Sequence, residues 1–130
     1  MNFSQTWEQI VSTLKANAET LGISPDSIEE GKSEEPQIAP FLWVYCVPQP
    51  VAQAESGAKI RRAKVSVFCG AATAATLAEA LKNAVTLAEK AETVLNGLYR
   101  YTAGDITYYD TYSDKTVVEL TGFIRYGKSI

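Results

Sequence analysis

The sequence predicts an α+β fold, a two-layer sandwich of order α-β-β-α-β-β, with a mostly antiparallel four-stranded sheet and a long helix packed on one face. Two stretches place apolar residues at three- and four-residue steps, as amphipathic helices do. Four others are rich in β-branched and aromatic residues and are bounded by Pro, Gly, Asp or Ser. No internal repeat or composition break divides the 130 residues, so residues 1–130 are expected to form a single domain. A chain of this length buries about two-thirds of its surface on folding and needs no metal or disulfide as a staple.

In the first element Trp7, Ile10, Val11, Leu14, Ala18 and Leu21 share one stripe, and Trp7 on that stripe reads as core. Asn2 or Ser4 caps its start, and Gly22 stands where a left-handed residue ends a helix. An acidic loop is expected over residues 24–40, opened by one helical turn at Ser24-Pro25. It carries Asp26, Glu29, Glu30, Glu34 and Glu35 against the single Lys32, and reads either as a solvated connection or as an acidic patch. Its carboxylates lack the spacing of a calcium loop, so no metal is expected there.

The run from Phe41 to Val47, Phe-Leu-Trp-Val-Tyr-Cys-Val, is apolar throughout. A strand covered on both faces has this composition, as does one whose outer face meets a partner. Pro48 and Pro50 end it, and a flexible loop is expected over residues 48–58. A second strand from Lys59 to Cys69 begins with the basic residues Lys59, Arg61, Arg62 and Lys64. It then alternates, with Val65, Val67 and Cys69 on one face and Lys64, Ser66 and Phe68 on the other. Pairing these two strands puts Cys46 near the loop and Cys69 at the far end, beyond disulfide reach.

Thr76-Leu77-Ala78-Glu79 has the form of a capping box and starts the longest helix. Leu77, Leu81, Ala84, Val85, Ala88, Ala91, Leu95 and Leu98 make its expected buried stripe, and Asn96-Gly97 its stop. The segments Asp105 to Tyr112 and Thr116 to Tyr126 form a closing hairpin about a Ser113-Asp114-Lys115 turn. Tyr99, Tyr101, Tyr108, Tyr109 and Tyr112 cluster here, either as interface residues or as half-exposed cross-strand packing.

The chemistry is defined mostly by exclusion. With no histidine, the commonest general base, the usual nucleophile triads and the commonest metal ligand are gone. Cys46 and Cys69 form no CxxC motif, and neither a P-loop nor a GxGxxG occurs. The expectation is a protein without catalysis, cofactor or metal. Fifteen acids against 12 bases give a net charge of −3, unlike a nucleic-acid binder. No apolar run is long enough to span a membrane, and no secretory signal is legible at the start, so a cytoplasmic setting is expected.

Taken together, several features resemble the tail-terminator (tail-completion, minor tail) proteins of long-tailed bacteriophages and prophages. They are the chain length, the helix before an acidic loop, and the aromatic strand Phe41-Leu42-Trp43-Val44-Tyr45. A long loop then leads to a basic strand, an alanine-rich helix and a closing hairpin with Phe123-Ile124-Arg125-Tyr126. The resemblance implies a non-enzymatic structural subunit that forms a homo-oligomeric ring, commonly a hexamer, on the end of the tail tube. Such a ring stops tube growth and presents the surface that joins tail to head, so its partners are copies of itself, the tail-tube protein and the head-joining protein. Only Gly127-Lys128-Ser129-Ile130 follow the last strand, so family contacts made by a C-terminal extension are not expected.

The interface residues expected on this reading are Glu29, Glu30, Glu34 and Glu35 on one side and Lys59, Arg61, Arg62 and Lys64 on the other, with Tyr108 and Tyr112. Opposite charge on unlike surfaces steers head-to-tail contact and disfavours a two-fold dimer. A small acidic secretion-type chaperone, acting as a dimer on an extended protein client, is the alternative. A generic small-molecule-binding domain or an enzyme without histidine is a third reading.

Overall fold

The computed structural model describes residues 1–32, 38–50, 52–53, 59–72, 74–112 and 115–127. Helix α1 spans Phe3–Ala16 and is started by a reciprocal capping box. Asn2 accepts from the Gln5 N–H at 2.8 Å, and the Gln5 side chain accepts from the Asn2 N–H at 3.0 Å. The expected single helix is broken at Asn17, whose side chain turns back to donate to the Thr13 carbonyl at 2.8 Å. A one-turn helix α2, Ala18–Leu21, follows and ends at Gly22 in the left-handed region. Ile10, Leu14, Ala18 and Leu21 are buried as the apolar stripe requires.

The acidic stretch is not wholly a loop. After a 3₁₀ turn at Pro25–Ser27, Ile28–Glu30 forms strand β1, parallel to β2, Phe41–Pro48. Ile28 supplies the reason: one buried aliphatic residue facing the helices anchors a strand too short and too acidic to carry a recognisable pattern. Strand β3, Ala52–Gln53, interrupts the expected 48–58 loop and pairs with the start of β4, Lys59–Ala72. Helix α3, Leu77–Leu95, then leads to β5, Tyr101–Tyr112, and β6, Lys115–Tyr126.

The sheet runs β1-β2-β4-β6-β5, antiparallel except for the β1–β2 pair, so it is mixed and has more strands than the four expected. Both β4 and β5 run antiparallel to β6 and therefore parallel to each other, with α3 as the crossover between them. At 19 residues α3 is roughly 28 Å long, enough to cross the strands it covers. It lies on β4, β5 and β6, while α1 lies on β1 and β2. The core is the space between them: Leu42 and Val44 of β2, Val65, Val67 and Cys69 of β4, and Val118, Leu120 and Ile124 of β6 against Ile10, Leu14, Ala84, Leu87, Ala88, Ala91 and Leu95.

The buried stripe of α3 is rotated from the expected one. Ala80 and Leu87 are inside, Leu81 is half-buried, and Leu77 is 60% exposed. Alanines set that rotation, because small side chains let the helix axis approach the sheet and push the larger leucines to the flanks. Thr76 Oγ accepts from the Glu79 N–H at 3.1 Å, the forward half of the expected capping box.

Candidate functional site

Alternation along the strands gives the sheet two chemically different faces. In β2, Leu42, Val44 and Cys46 point to the helices, and Phe41, Trp43, Tyr45 and Val47 point away from them. Opposite these outward residues on β4 stand Gly70, Phe68, Ser66 and Lys64. Val117, Glu119, Thr121 and Phe123 of β6 continue the same face. No described helix packs on it. Its cover is aromatic: Phe41 stacks on Trp43 at 4.2 Å between centroids, and Phe68 meets Tyr45 at 5.5 Å and Tyr109 at 4.7 Å, edge to face. Gly70 makes room for this layer, since a Cβ there would run into the Phe41 ring.

A groove of about 330 Å³ lies over this layer, lined by Lys32, Trp43, Tyr45, Val47, Ser66, Phe68, Tyr109 and Tyr112. Its wall on the β1 side is built by a turn. Gly31 has φ +84°, which lets the chain leave β1 close to the Tyr45 ring, and Tyr45 Oη accepts from the Lys32 N–H at 2.7 Å. Lys32 Nζ then stands 5.2 Å from the centre of the Trp43 ring. Trp43 is 95% buried, and its indole N–H has no acceptor among the described residues. Leaving such a donor unmade costs about 1–3 kcal/mol. Trp7, by contrast, donates its indole N–H to the Val44 carbonyl at 3.0 Å and ties α1 to β2. The Tyr112 phenol is pushed upward in pKa by burial first, then by Tyr109 and Asp110.

The sequence-predicted interface residues do not form two single-sign surfaces. Alternation splits each cluster: Glu29 lies level with Trp43 on the helix-free side, and Glu30 level with Val44 on the helix side. Arg62 and Lys64 face the helix-free side, with Arg62 over the Phe123 ring at 5.1 Å, and Arg61 faces the other way. The clusters are also far apart. Val67, level with Val44 and Glu30, is five residues from Arg62, about 16 Å along the strand. Glu34 and Glu35 lie outside the described residues, as does the side chain of Lys59. Tyr108 and Tyr112 are on opposite faces: Tyr108 is level with Val118 and donates to Thr111 Oγ at 2.8 Å, while Tyr112 lines the groove.

Of the lining residues only Tyr112 stands among the expected interface residues, and Tyr109 belongs to the tyrosine cluster read either as interface or as cross-strand packing. The signal was present in Phe41-Trp43-Tyr45 alternating with Leu42-Val44-Cys46, which separates an aromatic face from an aliphatic one. Tyr109 reaches the groove because the strand is irregular between Tyr108 and Asp110, which places two consecutive residues on the same side.

Neither thiol is a nucleophile. Cys46 and Cys69 are free and buried. Burial, then the Glu30 carboxylate, pushes Cys46 up to about 12, and burial alone pushes Cys69 higher. Cys69 stands opposite Leu42, four residues from Cys46, roughly 13 Å and too far for a disulfide. Among the described residues no three His, Cys, Asp or Glu side chains gather as metal ligands, and no helix is long and apolar enough to cross a membrane.

Compared with known proteins, the chain matches no family model, and no curated protein matches it significantly.

Proposed function

We propose that this chain is a non-enzymatic assembly subunit of a long-tailed phage or prophage, a tail terminator whose closed homo-oligomeric ring, in this reading a hexamer, caps the tail tube and joins it to the head. The observation that carries the reading is the unlike chemistry of the two sheet edges. One edge is β1, three residues long and bearing Glu29 and Glu30. The other is β5, twelve residues long, with Tyr108 and Tyr109 about half exposed. Two different open edges suit heterologous head-to-tail contact, which closes into a ring when the rotation allows, whereas like edges favour a two-fold dimer. The basic end of β4 is flanked by β3 and β6, and its exposed Arg61 and Arg62 side chains offer positive charge to a neighbour or to the tube. In this reading the protein works in the bacterial cytoplasm and then in the virion tail, without nucleic acid, membrane or cofactor.

A chaperone reading is favoured by one feature, the helix-free aromatic face, which offers apolar surface to an extended client. Native mass spectrometry across protein concentration and salt separates the two. The tail reading expects one closed species of several subunits that added salt weakens, and the double substitution Arg61→Glu, Arg62→Glu weakens it further without lowering the melting temperature of the subunit. A salt-insensitive dimer at every concentration favours the chaperone. A monomer at high concentration and low salt, unchanged by a tail-tube protein, overturns the ring.

A further inference from the structure

We propose that the groove on the helix-free face is a binding site for a small aromatic carboxylate of one ring, held with its ring among the aromatic side chains and its carboxylate toward Lys32. The inference stands apart from ring assembly and needs no second subunit.

Size, shape and polarity each narrow the ligand. A groove of about 330 Å³ is roughly twice the ~150 Å³ apolar cavity that accepts a benzene ring, which suits a single ring with a short chain. Phe68, with Tyr45 and Tyr109 set edge to face about it, offers ring faces and edges to a further aromatic group. Lys32 is the only charged side chain among the described residues that line the groove. A cationic ligand would have to displace Lys32 Nζ from the Trp43 ring, whereas a carboxylate draws the same ammonium toward itself. Lys32 is exposed, so its side chain can swing off the indole without disturbing the core.

The buried Trp43 indole lines the groove and carries Lys32 over its ring. Its N–H has no acceptor among the described residues, whereas Trp7 donates to Val44, so the two indoles report separately. The carboxylate answers the Lys32 ammonium, while the ring answers the apolar walls. Tyr109 and Tyr112 line the groove together with Trp43, so a ligand ring would lie among these three side chains.

The probes are 3-phenylpropionate, its neutral amide 3-phenylpropanamide and the cation 3-phenylpropylammonium, titrated into the ¹⁵N-labelled full chain. The two indole N–H cross-peaks are read separately. The propionate is expected to move the Trp43 peak along a saturable curve, because its ring docks beside that indole, while the Trp7 peak stays in place. The amide should bind about tenfold more weakly, as loss of a charge-assisted contact implies, and the ammonium more weakly still. Lys32→Gln should reduce the propionate to the affinity of the amide and leave thermal unfolding unchanged. The proposal is overturned if the propionate and amide bind alike, if the ammonium binds tightest, or if no probe moves the Trp43 peak up to about 10 mM, the limit of useful weak affinity. Particle mass measured on the same samples keeps a failure of ring assembly distinct from a failure of this site.

Discussion

The two faces of the sheet are built from alternate residues of the same strands, yet they solve burial differently. On the helix-covered face, aliphatic side chains of β2, β4 and β6 meet α1 and α3 and are almost wholly removed from water. On the other face the aromatic rings cover one another: Phe41 and Trp43 reach full or near-full burial without a helix above them, while Tyr109 stays 51% exposed. The first arrangement excludes water by layering elements, the second by stacking large flat side chains on the sheet itself. On the covered face the accessible hollows lie beside Ile124 and beside Ala71, between the helices and the strand ends. Self-covering leaves a groove, an orphaned donor and a lysine poised over a ring. The covered face holds the fold together, and the helix-free face carries the groove proposed as a binding site.

That division can be broken by experiment, most strongly at high pH. Cys46, Cys69 and Tyr101 all face the helices. Burial raises all three, with Cys46 and Tyr101 at about 12. Each resists ionisation only while folded, so the stability this confers is intact below the ordinary thiol value near 9. It falls as pH rises from about 9 toward 12, because the unfolded chain loses these protons first. Urea midpoints measured between pH 7 and pH 11 should decline across that window. A flat profile would mean that water reaches the covered face. Thiol-specific labelling at neutral pH should be slow in the native protein and fast in urea.

Next in size is Leu120→Ala, at a fully buried position facing α3, expected to cost about 2–5 kcal/mol in denaturant melts. Gly70→Ala probes the other face, because a new Cβ meets the Phe41 ring and overpacking should cost about 1–3 kcal/mol. A neutral Gly70→Ala would show that the aromatic layer is looser than its stacking geometry implies. Smaller again, Thr76→Ala should cost about 1 kcal/mol by removing the N-cap of the helix that covers the sheet.

Much of this contrast was legible in the sequence. The helix stripes, the alternation in β4 and the closing hairpin follow from periodicity, because each buries one face against a single neighbour. What periodicity missed has physical causes. Strand β1 has three residues and one buried anchor, too few to show a period against its glutamates. The rotation of α3 depends on how closely alanines approach the sheet, a distance that no helical wheel contains. The charge clusters looked like patches because Arg61 and Arg62 are adjacent in sequence, and a strand sends adjacent residues to opposite sides. The groove was half visible: the alternation of Phe41, Trp43 and Tyr45 is in the sequence, but Lys32 and Tyr109 join it only through a turn at Gly31 and an irregular β5.

The smallest predicted effect on stability is also the most direct test of the division between the faces. Tyr109→Ser removes one groove wall at a half-exposed position and should cost under about 1 kcal/mol, or about 4 °C in melting temperature at this size. The same variant should lose the propionate-dependent movement of the Trp43 indole peak. Near-native melting with that response abolished is the result expected here. A melting temperature lowered as far as by Leu120→Ala would instead make the helix-free face a second core, and the account of a recognition surface would be wrong.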